Sequence, residues 1–414
     1  MAVQVEKSPE AVLLYLACLR YGAALVPMNT AYSSDEVAYL VGDAEPALFV
    51  DDRRLAELSR AADEQPPTFD DVELLPDDLA AILYTSGTTG RPKGAMLSHA
   101  NLASNADVLR RAWGFSADDV LLHALPIFHA HGLFVAINCV LASGCTMVFL
   151  PRFGVEQVLD ELPRCTVMMG VPTFYTRLLD DPGFESTVCS GMRLFISGSA
   201  PLLASTHEAF SARTGHAILE RYGMTETVML TSNPLDGERR RGTVGFPLPG
   251  TDVRIVDPDD TGAGAIEVRG PNVFAGYWRR PETTEFTNDG WFRTGDIGCF
   301  DPDGYLSIVG RAKDLVISGG LNIYPKEVED VLDTIDGVLE SAVIGVPDAD
   351  FGEAVVAVVV PKSGLALDTQ VVRDAARHRL AAFKVPKRIE IVGSLPRNAM
   401  GKVEKAALRR HFGG

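Results

Sequence analysis

The chain has 414 residues, 46% of them apolar and 22% charged, with a formal net charge of −17. That length is enough for two or three domains with large cores. The acidic balance argues against sequence-wide attraction to nucleic acid or anionic lipid, and no apolar run is long enough for a membrane helix, since "AVLLYLACL" is short and flanked by Glu10 and Arg20.

In chain order, "VQVE" reads as a strand and Pro9 to Arg20 as a helix. "AALVPMN" is a strand, "SSDEVAYLVGDAE" a helix and "ALFVDD" a strand. This alternation predicts βαβ units and a mostly parallel sheet. The polar stretch "SRAADEQPPTFDD" is expected to cross the surface. From Asp78, "LAAILYTSGTTG" is a strand running into a glycine-rich loop, and further βα alternation follows through "TMVFLP", "TVMMGVPTFYTRLL" and "MRLFISGSA". From about 242 to 310, short strands such as "DVRIVD", "AIEVRG" and "YLSIVG" alternate with turn residues, which predicts an antiparallel β subdomain. A boundary is expected near "GRAKD", giving a first domain of residues 1–312 and a second of 313–414. In the second, "PKEVEDVLDTI" puts Val328, Val331, Leu332 and Ile335 on one helical face, with Pro325 in the first turn and Gly337 at the exit. "SAVIGV" and "AVVAVVV" are buried-type strands, "TQVVRDAARHRLA" a second helix, and "PRNAMGK" a loop before a short last helix. The fold class expected is therefore α/β: a large domain of mostly parallel sheets with a β subdomain, then a small α+β domain.

Six cysteines are scattered without a CxxC pair, and most lie in apolar contexts. Buried free thiols in a reducing compartment are expected, not a disulfide frame or a zinc site. No signal-peptide pattern is present, so a cytoplasmic protein is expected, with a targeting peptide further upstream as the open alternative.

"YTSGTTGRPKG" (84–94) is the strongest local signal. Its hydroxyls and glycines suit close wrapping of an anion by backbone N–H groups, and Lys93 adds charge. Lys93 is followed by Gly94, where a P-loop lysine is followed by Ser or Thr, so a P-loop NTPase is disfavoured. A glycine-rich surface turn is the plain alternative. After it come, in order, "SGSAPL" (197–202), "RYGMTET" (221–227), "WFRTGD" (291–296), "GRAKDLVISGG" (310–320) and "PRNAMGK" (396–402).

Together these motifs resemble the adenylate-forming superfamily of acyl-CoA synthetases, luciferases and peptide-synthetase adenylation domains. The resemblance covers essentially the whole chain. It implies a two-step reaction using ATP, Mg²⁺ and coenzyme A: a carboxylate attacks the α-phosphorus and expels pyrophosphate, then a thiol displaces AMP. Carried over, Thr85, Ser86, Gly87, Thr88, Thr89, Gly90 and Lys93 hold the ATP phosphates. Thr225 contacts phosphate and Glu226 binds Mg²⁺, while Tyr222 flanks the adenine beside Ser197, Gly198, Ser199, Ala200 and Pro201. Asp296 and Arg311 hold the ribose, and Lys402 bonds the reacting oxygens during adenylation. Lys313 is the hinge about which the small domain rotates between half-reactions, and Gly319 and Gly320 let the pantetheine arm approach the backbone.

Beside the Thr225–Glu226 pair, which suits phosphate and magnesium, Arg221 is one charge more than that job needs. In the family its position can face the acyl pocket, where an unpaired charge would be costly. A guanidinium there suits an acyl group that ends in its own carboxylate. The alternative is that Arg221 pairs with Glu220 or another acid outside the pocket. In "LPIFHAHGL" (125–133), His129 and His131 either point the same way on a strand or lie apart on a turn. A metal pair is weak without a third ligand. The resemblance puts this run on the acyl-pocket wall, with His131 donating to the distal carboxylate and Ser199 as a further pocket residue. The joint presence of "FHAHG", "GVPTFYTRLL", "FISGSAPLL", "ERYGMTET" and "NIYPKE" resembles the malonyl-CoA synthetase group most closely. Malonate or methylmalonate is the substrate this implies. Another small-acid CoA ligase and an inactive nucleotide-binding relative are the alternatives. The resemblance also implies that relatives carry further sequence upstream, so that the first strands of the N-terminal sheet are expected to be missing and one sheet edge uncovered.

Overall fold

The computed structural model describes residues 1–85, 92–281, 284–319, 321–398 and 402–413. The chain divides into two compact units, Met1–Val253 with Val268–Phe292, and Arg254–Glu267 with Arg293–Gly414. The boundary expected between 312 and 313 falls within the second of these.

The first unit is built on parallel sheets, as the βα alternation requires. A three-stranded parallel sheet places Ala2–Val3 between Val26–Pro27 and Phe49–Val50. The larger sheet has seven strands in the spatial order Phe246–Pro247, Thr231–Ser232, Leu219–Tyr222, Leu194–Ser197, Val167–Gly170, Val120–His123, Thr146–Phe149. The last five are mutually parallel, and the first two are a short antiparallel extension. Parallel strands are covered on both faces, so they read as continuous apolar runs. Phe195 and Met168 feed a core with Tyr175, Phe184 and Phe210.

Helix ends follow the local chemistry. Ser8 caps Pro9–Tyr21 by accepting from the Ala11 N–H, and Gly22 closes it at φ 75°. Ser33 and Glu36 form a reciprocal capping box for Ser34–Ala44. The stretch expected only to cross the surface is helical in its first part, because a helix runs Asp52–Asp63, capped by the Asp51 side chain. Leu55 is its one buried residue.

Most of a four-stranded sheet (Asp252–Val256, Gly264–Arg269, Phe292–Phe300, Leu306–Arg311) lies in the second unit, with the last two strands antiparallel. A five-stranded sheet follows it, in which Val338–Asp348 and Gly352–Pro361 form a long antiparallel pair. Val355, Ala357 and Val359 enter one core with Val328 and Leu332 of the helix Pro325–Leu332. Val356, Val358 and Val360 enter another with Leu395 and Leu408. The period of two in a strand explains why "AVVAVVV" carries no polar residue: both of its faces are buried.

Four of the six cysteines, Cys18, Cys139, Cys165 and Cys189, are buried, and all six are free thiols. Among the described residues, no helix is long and apolar enough to cross a membrane.

Asp333 ends the helix Pro325–Leu332 and accepts from the Ser341 hydroxyl at 2.7 Å. Burial, reinforced by the nearby Glu329 charge, raises its carboxyl to about 7 despite the Ser341 bond. An unfolded aspartate titrates near 3.9, so the native state holds more protons than the unfolded state between about 4 and 7. Stability therefore falls as pH rises through that window, and the whole penalty is present above it. Asp333→Asn keeps an oxygen for Ser341 and removes the charge. It should stabilise the protein against urea at pH 8 and have little effect at pH 4.5. The same difference at both pH values would contradict a raised native pKa.

Candidate active site

The strands Val120–His123, Val167–Gly170, Leu194–Ser197 and Leu219–Tyr222 run side by side in one direction. Their carboxyl ends therefore share one edge of the sheet, where open α/β sheets bind ligands. The segments leaving these ends carry most of the residues singled out in the first unit.

Arg221 lies on the strand Leu219–Tyr222, opposite Ser232. It is 4% exposed, and strand alternation turns it away from the Glu220 face. Its Nε and Nη2 have no hydrogen-bond partner. Among the described residues Arg221 makes no ion pair with Glu220 or another acid. Burial lowers the guanidinium to about 9, an effect only partly offset by Tyr175, so it is still protonated at neutral pH. The guanidinium rests against Gly198, where an added Cβ would lie 2.4 Å from Cζ. The next residue, Ser199, has φ 71° and its Oγ is 3.2 Å from His131 Nδ1. The Nε2 of His131 is buried without a partner, as is Ser197 Oγ. Burial holds the imidazole well below its usual pKa, and Arg221, His129 and His123 add to the effect.

The two histidines are not on a strand. His129 sits in a bend, and His131 opens a π-helix, His131–Ile137, which runs into the helix Asn138–Ser143. π-Helical turns are rare and recur at functional sites. Arg221, Gly198, Ser199 and His131 thus form a buried, cation-bearing cluster with unsatisfied nitrogens. Such groups call for an explanation, and an anion that accepts from them is the direct one.

After Tyr222 the chain turns through Gly223, whose Cβ, were there one, would meet the Val228 carbonyl at 2.0 Å. Thr225 and Glu226 are both buried, at 9% and 5% exposure. Glu226 Oε1 accepts from the Tyr277 hydroxyl at 2.8 Å. Lys93 Nζ is 4.9 Å from the Tyr277 ring centroid and 2.9 Å from Glu285 Oε1. Tyr277 and Glu285 have no sequence signal of their own. They lie 51 residues from Glu226 and 192 from Lys93. Thr85 stands opposite Lys93 in the antiparallel pair Leu79–Thr85 and Lys93–Ser98. Ser86, Gly87, Thr88, Thr89 and Gly90 lie outside the described residues. Ala200 is partly buried and Pro201 exposed.

In the second unit, Asp296 and Arg311 face each other across antiparallel strands. Arg311 Nε is 2.8 Å from Asp296 Oδ1, and the carboxylate is only 3% exposed. Lys313 lies in the short 3₁₀ turn Ala312–Asp314 and is exposed. Gly319, at φ 59°, donates its N–H to the Phe351 carbonyl at 2.8 Å. Gly320 is outside the described residues. Lys402 is partly buried, and its N–H donates to Asn398 Oδ1 at 3.0 Å.

Residues 1–278 match the family model "AMP-binding enzyme", and residues 327–402 match "AMP-binding enzyme C-terminal domain". The chain belongs to the AMP-binding enzyme family. It is 53% identical to MatB from Rhodopseudomonas palustris, whose ATP-bound crystal structure superposes with a TM-score of 0.96 over 99% of this chain and 88% of that one. It is 41% identical to the mitochondrial malonate–CoA ligase of Homo sapiens over 80% of this chain. It spans 66% of that protein's length. A feruloyl-CoA synthase of an Amycolatopsis species is 38% identical over 96% of this chain and 85% of its own length.

The packing of Arg221 on Gly198 can be tested without a substrate. Gly198→Ala should displace the guanidinium and cost about 1–3 kcal/mol, as small-to-large changes in tight sites do. With Arg221→Ala already in place, the same change should cost almost nothing. Urea unfolding of the two single variants and the double variant measures that coupling. Equal costs in both backgrounds would show that the crowding comes from elsewhere.

Proposed function

We propose that this protein is an acid–thiol ligase that joins malonate to coenzyme A through a malonyl-adenylate, releasing AMP and pyrophosphate. The observation that carries the substrate assignment is the buried, unpaired Arg221 guanidinium beside the His131 imidazole. Family membership supports the reaction class. The relatives named for malonate–CoA ligation support the acid.

In this reading a malonate carboxylate oxygen attacks the α-phosphorus of ATP, and pyrophosphate leaves. The sulfur of coenzyme A then attacks the acyl carbon, and AMP leaves. Arg221 pairs with the distal carboxylate, replacing the water that the acid loses on entering the site. His131 donates from Nε2 while Ser199 satisfies its Nδ1, so the carboxylate selects one tautomer. Thr225 and Lys93 donate to phosphate oxygens. Glu226, buried and oriented by Tyr277, offers a carboxylate to Mg²⁺, which fits a cation that takes one or two carboxylates and fills its remaining positions with phosphate and water. When bound, Mg²⁺ neutralises charge on the phosphates. Asp296 and Arg311 hold the ribose, Lys402 serves adenylation, Lys313 is the hinge, and Gly319 and Gly320 admit the pantetheine arm.

A pocket built for an aryl or alkyl acid is the second reading, which the feruloyl-CoA synthase likeness favours. A buried guanidinium with no carboxylate partner among the described residues weighs against it.

The deciding experiment is Arg221→Ala assayed with malonate and propionate. Removing one side of a buried charge pair costs about 2–5 kcal/mol, on the order of 30-fold to several thousand-fold in kcat/KM for malonate. Propionate lacks the distal charge, so its rate should hold or rise. Equal losses on both acids would remove the dicarboxylate assignment and leave Arg221 a structural role.

Lys402→Ala should nearly abolish pyrophosphate release from ATP and malonate. It should largely spare conversion of supplied malonyl-adenylate to malonyl-CoA. Parallel loss of both steps, measured separately, would show that Lys402 supports the fold.

A further inference from the structure

Behind His131 lies a second buried pair that the proposed chemistry does not use. His123 ends the strand Val120–His123 and is 1% exposed. Its Nε2 is 2.9 Å from the Gly132 carbonyl oxygen. A carbonyl can only accept, so Nε2 carries the proton and Nδ1 presents a lone pair. That lone pair is met by Lys7 Nζ at 2.8 Å, and the same nitrogen donates to the His123 carbonyl, also at 2.8 Å. The Phe149 ring, 4.3 Å from Nζ, closes the amine's third side. Lys7 comes from a segment 116 residues away in sequence, just before the helix Pro9–Tyr21. It is not paired with a carboxylate among the described residues.

The far end of this chain of bonds is a demanding piece of backbone. Gly132 is the second residue of the π-helix that His131 opens. A Cβ at Gly132 would lie 2.0 Å from the Pro126 carbonyl oxygen, so the loop packs back on the turn with no room for a side chain. π-Helical turns cost more than α-helical ones and persist where something holds them. The His123 ring meets this turn at the carbonyl of Gly132, the residue after His131.

We infer that Lys7 and His123 are positioning residues for the acyl site: Lys7 fixes the orientation and tautomer of His123, and His123, through the Gly132 carbonyl, fixes the π-turn that presents His131. This assignment rests on the reading of His131 as a ligand of the distal carboxylate. The environment agrees with it. Burial lowers Lys7 to about 7, and burial together with the Lys7 charge lowers His123 to about 3, which keeps the imidazole neutral and its tautomer single at physiological pH.

The test uses Lys7→Met, His123→Leu and His123→Gln. Glutamine can accept from Lys7 through its carbonyl and donate to Gly132 through its amide. The first readout needs no substrate. In ¹⁵N-histidine spectra of the ligand-free protein, the parent should show His123 as the Nε2–H tautomer, and the His131 resonances should move in Lys7→Met and His123→Leu. The second readout is kinetic. In those two variants KM for malonate should rise about 10-fold or more, the loss of roughly one charge-assisted hydrogen bond. KM for ATP should stay within about twofold. His123→Gln should recover most of the malonate affinity, and it remains informative if His123→Leu does not fold. Unmoved His131 resonances in Lys7→Met overturn the inference whatever the activity. Malonate and ATP constants that worsen together, with no recovery in His123→Gln, also overturn it and mark the pair as structural. If the resonances move but Arg221→Ala leaves the malonate-to-propionate ratio unchanged, the positioning stands and the malonate reading falls.

Discussion

A charge almost wholly withdrawn from the surface constrains everything around it. Arg221 sits near the carboxyl end of the outermost of the five parallel strands, with two of its guanidinium nitrogens unsatisfied among the described residues. A buried polar group without a partner costs about 1–3 kcal/mol, a sizeable part of a domain's margin of stability. The surrounding fold is organised to tolerate this. Gly198 gives up its side chain so that the guanidinium can lie flat on the backbone. Ser199 takes a left-handed conformation, and its hydroxyl meets His131 rather than solvent. The π-turn brings His131 in from a different strand. Together these features form the complement that the proposed function assigns to the distal carboxylate, prepared in advance as preorganised sites are.

The architecture explains why so many separate segments meet there. Parallel strands all end at the same edge, so the turns after His123, Gly170, Ser197 and Tyr222 become neighbours although up to a hundred residues separate them. The sheet supplies rigidity through apolar strands buried on both faces, and the turns supply chemistry. In the second unit the same economy appears in antiparallel form. Register alone sets Asp296 opposite Arg311, and the ion pair follows from it.

Much of this was legible in the sequence, for identifiable reasons. Alternating apolar runs and turn residues give the βα order, and the helix Pro325–Leu332 follows from Val328 and Leu332 at a spacing of four with proline at its start. Arg221 stood out because it is a cation in a run whose Thr225 and Glu226 suit phosphate and magnesium. Three things were not legible. The helix Asp52–Asp63 buries only Leu55, so its apolar stripe is too thin to distinguish from a polar surface stretch. The π-turn at His131 has no side-chain periodicity of its own, because its register comes from Gly132 packing on Pro126. The pairings of Glu285 with Lys93, Tyr277 with Glu226 and Lys7 with His123 join distant segments, and no local pattern encodes them.

The Lys93–Glu285 pair changes what binding an anion at this lysine means. The ammonium is already neutralised by a carboxylate at 2.9 Å, in a setting where both side chains are largely buried. An incoming phosphate does not add a contact; it exchanges one counter-ion for another. The free energy released is the difference between two ion pairs, and Glu285 must be rehydrated or find another donor when it lets go. Because the pair presents little net charge to the solvent, it exerts little long-range pull on an approaching nucleotide, and its contribution depends weakly on ionic strength. Under the proposed function, Lys93 is therefore a discriminating contact at short range. In that role it would favour a polyanion able to outcompete the Glu285 carboxylate.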